Sequence, residues 1–286
     1  MNPLDIGRIR ISAVVETAGP TRPTWLLPEA TPEAVARHRD WLTPHFLDAT
    51  GRFLQSVHSF VVTSPDLRIL VDTCIGNDKD RGGQRPFHML RTDFLERLAA
   101  AGVPAESIDV VICTHLHVDH VGWNTRLDNG RWVPTFPRAR YVFARTEWEH
   151  WTGETEDATK RIMADSVAPV VDAGLAELVD ANHRVSDEIW LEPTPGHTPG
   201  HVSVRLSSGG RDAVITGDLM HCPVQVAEPD WGSHFDSDVA AARTTRRAFC
   251  ERYADRPVEV LGTHFHHPTA GRIVRHGNGC RFVTQS

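Results

Sequence analysis

The chain has no basic block, no Cys-x-x-Cys pair and no apolar run near the ~20 residues that a membrane-spanning helix needs. Lys and Arg total 30 against 37 Asp and Glu, a formal charge of −7, so a phosphate-tracking nucleic-acid surface is disfavoured. Its five cysteines (Cys74, Cys113, Cys222, Cys250, Cys280) are odd in number. That argues against a disulfide framework or zinc ribbon and for free thiols in a reducing compartment. In "MNPLDIGRIRISAVV", Asp5 and two arginines interrupt the apolar core that a signal peptide requires. The expected setting is cytoplasmic, without membrane or nucleic acid as partner. Tyrosine is scarce too, with only Tyr141 and Tyr253.

Histidine is abundant: 17 in 286 residues, several of them clustered. Imidazole is the commonest protein metal ligand, so the clusters carry the functional argument. A 40% hydrophobic and 23% charged composition supports a globular core. The length suits one large α/β domain over residues 1–286.

"IRISAVVET" alternates like a half-buried strand. Residues 18–50, rich in proline and carrying Trp25 and Trp41, read as an arm or lid with a short helical patch near Pro32–Trp41. Such an arm is a candidate homodimer contact. "SVHSFVVTS" and "LRILVDT" flank a Ser64-Pro65-Asp66 turn and predict a hairpin. "TDFLERLAAAGV" has helical spacing, and the continuous run "IDVVICT" predicts a strand buried on both faces. Further strands are expected at "EIWLEPT", "HVSVRLSS", "DAVITGD" and "PVEVLGTHF". "SDVAAARTTRRAFCERYA" reads as a long helix with Ser237 as its N-cap.

The stretch "ICTHLHVDHVGWN" puts His115, His117, Asp119 and His120 immediately after the predicted strand, where α/β folds bind ligands. In an extended loop, residues i and i+2 point the same way, so His115 and His117 can chelate one ion. His197 in "PTPGHTPGH", Asp218 in "AVITGD" and His264 in "VEVLGTH" also follow apolar strands. Seven nitrogen and oxygen ligands exceed one tetrahedral ion but suit two ions sharing a bridging carboxylate. The donor set accepts Zn²⁺, with Mn²⁺, Fe²⁺ or Co²⁺ as alternatives.

In order and spacing, "LVDT", "THLHVDH", "PTPGHTPGH", "TGDLMH" and "GTHFH" resemble the signature of the metallo-β-lactamase superfamily over roughly residues 56–267. The resemblance implies an α/β fold, a four-layered αββα sandwich of two mixed sheets flanked by helices. It assigns His115, His117 and His197 to one ion and Asp119, His120 and His264 to the other. Asp218 bridges, and Asp72 shapes the metal loop without binding metal. Absence of a cysteine at the bridging position sets the chain apart from one class of zinc β-lactamases. The full set looks more like the N-acyl homoserine lactone lactonase and methyl parathion hydrolase group. Those lactonases carry a tyrosine three residues after the bridging aspartate, where this chain has His221.

The expected activity is metal-dependent hydrolysis of a small neutral lactone, ester or related acyl or phosphoryl compound by a hydroxide shared between the ions. Asp119 would orient that hydroxide and protonate the leaving group, and His221 would contact substrate. His266, His267, Asn77 and Lys79 are further candidates for ligand-supporting or substrate contacts. The alternatives are a nuclease of the same superfamily and hydrolysis of another bond: β-lactam, thioester or aryl halide.

Overall fold

Strands form where β-branched and aromatic residues alternate or run unbroken, and their ends place every candidate ligand. The structure is a computed structural model that describes residues 3–284. The chain folds as two compact units.

One unit comprises residues 3–16 and Val57–Asp180. Its sheet contains β1 (Leu4–Ile6), β2 (Ile9–Thr21), β3 (Phe53–Thr63), β4 (Arg68–Val71), β5 (Val110–Ile112), β8 (Arg140–Ala144) and β9 (Ala176–Val179). They lie in the order β1-β2-β3-β4-β5-β8-β9, with β2 and β3 running on past the unit's boundary. β3 and β4 are an antiparallel hairpin across the expected turn, whereas β4, β5, β8 and β9 pair in parallel. β6 (Thr125–Asp128) and β7 (Arg131–Pro134) form a separate hairpin. All three β5 residues are buried, as its unbroken apolar run requires. The core packs Leu70, Phe94, Val111, Tyr141 and Phe143. The helix Phe94–Ala100 ends before Gly102, which adopts a left-handed φ of 80°.

The other unit comprises Thr17–Ser56 and residues 181–284. Its sheet orders β10 (Ile189–Pro193), β11 (Val202–Ser208), β12 (Arg211–Ile215), β13 (Val258–Leu261), β14 (Ala270–His276) and β15 (Gly279–Thr284) consecutively. Every pairing is antiparallel except β12 with β13. Short helices at Pro23–Leu26, Pro32–Ala36 and Arg39–Leu42 occupy the segment read as an arm. That segment contributes Leu26, Leu27, Leu42 and Phe46 to the unit's core beside Val260 and Phe265. The long helix runs Val239–Tyr253, and its N-cap is Asp238, whose side chain accepts from Ala241 N at 2.9 Å. Ser237 was the expected cap; it lies one residue too early for a helix that begins at Val239.

The chain is therefore α/β, with mixed sheets flanked by helices. No helix among the described residues is long and apolar enough to cross a membrane.

Candidate metal centre

In the first of these units the parallel register Val71↔Ile112 brings the ends of β4 and β5 side by side. Asp72 leaves β4 with a φ of 58°, a left-handed turn that an aspartate tolerates. Its Oδ1 accepts from Thr114 N at 2.8 Å, and its Oδ2 lies 2.9 Å from Thr114 Oγ1 and 2.9 Å from His120 Nδ1. Asp72 and His120 are both buried. A carboxylate only accepts, so His120 Nδ1 carries the proton and its Nε2 keeps a lone pair. Thr114 Oγ1 donates to Asp72 and so accepts from His115 Nδ1 at 3.1 Å. His115 Nε2 lies 3.0 Å from His117 Nδ1, and the His115 and His120 rings are 4.0 Å apart. Asp119 Oδ1 lies 3.7 Å from His120 Nε2, its side chain 17% exposed. One aspartate thus orients the loop through two neighbours, and four donor groups converge within it.

Gly122 closes the loop under a hard steric demand. A Cβ there would lie 1.8 Å from Ile75 O, so no other residue fits while Gly122 N bonds Cys74 O.

In the second unit, β12 and β13 run parallel with Ile215 beside Leu261, so Asp218 and His264 leave adjacent strand ends. The β10–β11 connection carrying His197 lies at the same end of the sheet, because Pro193 pairs with Val202 and Val204 with Ile215. Asp218 Oδ1 is 3.2 Å from His264 Nε2, and its Oδ2 is 3.4 Å from His197 Nε2 and 3.2 Å from His221 Nε2. The His221 and His264 rings stack at 5.7 Å with an interplanar angle of 4°. His264 Nδ1 faces the Ser56 carbonyl at 3.1 Å, and a carbonyl only accepts, so Nε2 again keeps its lone pair. His197 Nδ1 faces Asp236 Oδ1 at 3.0 Å. Burial pushes the His197 pKa down to about 4, against the pull of Asp236. Burial alone would raise Asp236, but its hydrogen bond from His197 and the nearby imidazoles hold it at about 2. At neutral pH the pair is a neutral imidazole donating to a carboxylate, the state in which an imidazole can ligate a cation.

Asp236 and His201 escaped the sequence reading. Asp236 receives Ser233 N at 2.8 Å, and the buried Arg246 lies 3.5 Å from it. His201 Nε2 accepts from Asp218 N at 2.8 Å, fixing the backbone of that carboxylate. The doubled Gly-His of "PTPGHTPGH" was the available signal for His201. Asp236 offers none, being one carboxylate in a loop 39 residues from its partner.

The remaining candidates lie elsewhere. Asn77 spends its side chain on Thr92, donating to the carbonyl at 2.9 Å and accepting from the amide at 2.8 Å. Lys79, a candidate substrate contact, is fully buried. Its Nζ bonds Thr125 Oγ1 at 2.8 Å and Asp165 O at 3.0 Å and sits 3.8 Å over the Trp132 ring. An ammonium so engaged has no face left for substrate. His266 Nδ1 meets the His45 carbonyl at 3.1 Å, and His267 is exposed.

The buried nitrogen and oxygen donors of each unit fit divalent cations: imidazoles with fixed tautomers beside carboxylates, with no thiolate among them.

Comparison with known proteins bears on these clusters. The family model described as the metallo-beta-lactamase superfamily matches residues 52–252. A ribonuclease Z from Mycobacterium avium (strain 104) is 27% identical over 141 residues, 45% of this chain and 50% of that protein. An N-acyl homoserine lactonase from a Bacillus species is 24% identical over 150 residues, 52% of this chain and 53% of that protein. The chain thus spans about half the length of the curated relatives it matches. Among solved structures, AidC, a dizinc quorum-quenching lactonase in complex with its product, superposes with a TM-score of 0.82 at 22% identity. That match covers 100% of this chain and 97% of AidC, a likeness of fold.

Proposed function

Because the chain belongs to the metallo-beta-lactamase superfamily, we propose that it is a dinuclear metal-dependent hydrolase of small neutral acyl substrates, lactones and esters foremost. One observation carries the reading. Three buried imidazoles each face an oxygen acceptor through Nδ1: His120 on Asp72, His197 on Asp236 and His264 on Ser56. Each Nε2 is thereby left as an acceptor and faces a carboxylate oxygen of Asp119 or Asp218, two electron-rich groups that a shared cation reconciles.

On this reading His115, His117 and His197 would hold one cation and Asp119, His120 and His264 a second, with Asp218 available to both. Zinc is the proposed metal, in keeping with the dizinc site of AidC. Two divalent cations would supply an activated water at neutral pH and polarise the scissile carbonyl. The chain's own groups do the rest. Asp119, whose carboxylate reaches solvent more than that of Asp218, takes up the proton that the attacking water gives up and passes it to the leaving oxygen. His221, buried beside Asp218, hydrogen-bonds the acyl oxygen and orients it, while the neutral state of His197 keeps its Nε2 available. Five buried free cysteines accord with a proposed cytoplasmic setting.

The test is a panel of lactones, aryl esters, phosphotriesters and β-lactams assayed before and after chelation. Lactone or ester hydrolysis should vanish with the metal and return with Zn²⁺ or Mn²⁺; hydrolysis that survives thorough chelation contradicts the proposal. The ribonuclease Z relatives support a second reading, a nuclease. The net charge of −7 speaks against it. Retention of RNA at moderate salt, with cleavage, would reverse the ranking.

A further inference from the structure

The helix Val239–Tyr253 buries Ala242, Arg246, Phe249, Cys250 and Tyr253, and steps of three and four mark them as its inward stripe. Four of the five suit a packed face. Arg246 is the exception, a guanidinium with no exposed surface, where arginine is almost never found unless it is paired. Its neighbours Arg243 and Arg247 behave ordinarily and meet Glu29 and Asp230 near solvent.

Arg246 is fully engaged. Its Nε donates to Leu219 O at 2.8 Å, and its Nη1 donates to Pro229 O at 2.9 Å and to Trp231 O at 3.0 Å. Its Nη2 lies 3.5 Å from Asp236 Oδ2. The planar fork of donors thus closes on three carbonyls and one carboxylate of a single segment, Leu219 to Asp236. Both ends of that segment belong to the candidate metal centre. Leu219 directly follows Asp218, and Asp236 Oδ1 faces His197 Nδ1 at 3.0 Å.

The helix also meets the loop of His197 directly. A Cβ on Gly196 would lie 2.2 Å from Ala242 N, so the two backbones touch one turn before Arg246. Ser237 N and Asp238 N donate to His197 O and Gly196 O at 2.8 and 3.0 Å. The buried Gln225 extends the hold, donating to the same Trp231 O at 2.9 Å and accepting from His221 N at 2.7 Å. An apolar side chain at position 246 would pack the stripe without the cost of burying a charge. The guanidinium adds what packing lacks: one rigid group that fixes the start and the end of the segment together.

We propose that Arg246 is a positioning residue for the metal centre, holding Asp218 through Leu219 and His197 through Asp236 in one grip. The inference rests on the dinuclear reading above. Arg246 touches neither substrate nor metal ligand; it acts through the residues that do.

The test is zinc affinity, measured against a chromophoric chelator, in Arg246→Gln, Asp236→Asn and the double variant. Each single variant should bind zinc about tenfold more weakly. The two residues act on His197 in series, so the double variant should be weakened by no more than about thirtyfold, short of the ~100-fold of independent losses. It also removes both buried charges at once, leaving neither alone in the core. Arg246→Lys keeps the charge but not the fork, and it should weaken zinc binding as well. A role confined to folding would lower the Tm of the metal-free protein and leave zinc affinity alone. An Arg246→Gln variant within threefold of the parent, or a double variant weakened beyond about thirtyfold, overturns the inference. Nitrogen-15 imidazole shifts of the metal-free protein read the same grip without zinc: His197 should carry its proton on Nδ1 in the parent and mix tautomers in Arg246→Gln. If the parent binds no zinc but this tautomer responds, the metal reading fails and the grip stands. If the parent binds two zinc ions and neither affinity nor tautomer responds, the grip fails and the metal reading stands.

Discussion

The two donor clusters reach similar chemistry by opposite routes. In the unit holding β4 and β5, His115, His117, Asp119 and His120 crowd one short loop, and a single carboxylate, Asp72, orients it through Thr114 and His120. In the other unit, His197, Asp218 and His264 come from separate strand ends, each with its own support: Asp236 for His197, His201 for the Asp218 backbone, Ser56 for His264. The first design concentrates dependence in one residue that touches several. The second spreads dependence over several residues, each supporting a single donor. Concentration is encoded locally and is fragile at one point. Distribution is encoded by topology and degrades in steps.

The largest effect is expected where the distributed cluster has its one shared member. Asp218→Ala removes the carboxylate that stands within 3.4 Å of three imidazoles. Lactone or ester hydrolysis should fall about 10³-fold or more, with bound zinc dropping to less than one per chain by elemental analysis. Activity within tenfold of the parent would mean that the imidazoles suffice without it.

The comparison is sharpened by paired substitutions of the two supporting carboxylates. Asp72→Asn keeps the left-handed backbone but turns an amide toward Thr114 N and His120 Nδ1, so zinc affinity or kcat/KM should fall about 100-fold. Asp236→Asn disturbs one imidazole and should cost about 10-fold. Equal losses, read by metal titration, would erase the distinction between concentrated and distributed support.

A smaller effect tests whether the loop between β4 and the helix Phe94–Ala100 is held from inside. Burial lowers the Lys79 pKa to about 7, despite the nearby Asp165. Between about pH 7 and its unfolded value near 10.5, the unfolded chain binds the extra proton, so stability rises with pH. Below pH 7 both states are charged and the cost of burying the ammonium is fully felt. The parent should gain about 1–2 kcal/mol relative to Lys79→Met between pH 7 and 9, measured by denaturant unfolding. A flat difference across that range would contradict the assignment. The smallest effect is Asp238→Ala, which removes the cap of the helix Val239–Tyr253 and should cost about 1 kcal/mol in thermal or urea unfolding.

This contrast also explains what the sequence disclosed. The histidine cluster was legible because its members are neighbours in the chain. His197, Asp218 and His264 were legible because apolar runs mark strand ends, and parallel pairing of β12 with β13 sets two of them together. Asp236 was not, since nothing periodic links a loop carboxylate to an imidazole 39 residues away. The burial of Lys79 was not legible for the opposite reason: nothing in its charged local sequence announces it, and only the arrival of Thr125, Trp132 and Asp165 from distant segments buries it. The N-cap moved by one residue because Ser237 and Asp238 both qualify chemically. Only the backbone decides between them, and it turns helical at Val239, directly after Asp238.

The central claim is that the two clusters together hold a pair of divalent cations. Anomalous diffraction at the zinc edge, from crystals grown with zinc, tests it most directly. The account predicts two peaks, one ligated by His115, His117 and His197 and the other by Asp119, His120 and His264, with Asp218 reaching both. A single peak, or zinc bound without His197, Asp218 and His264, would contradict it.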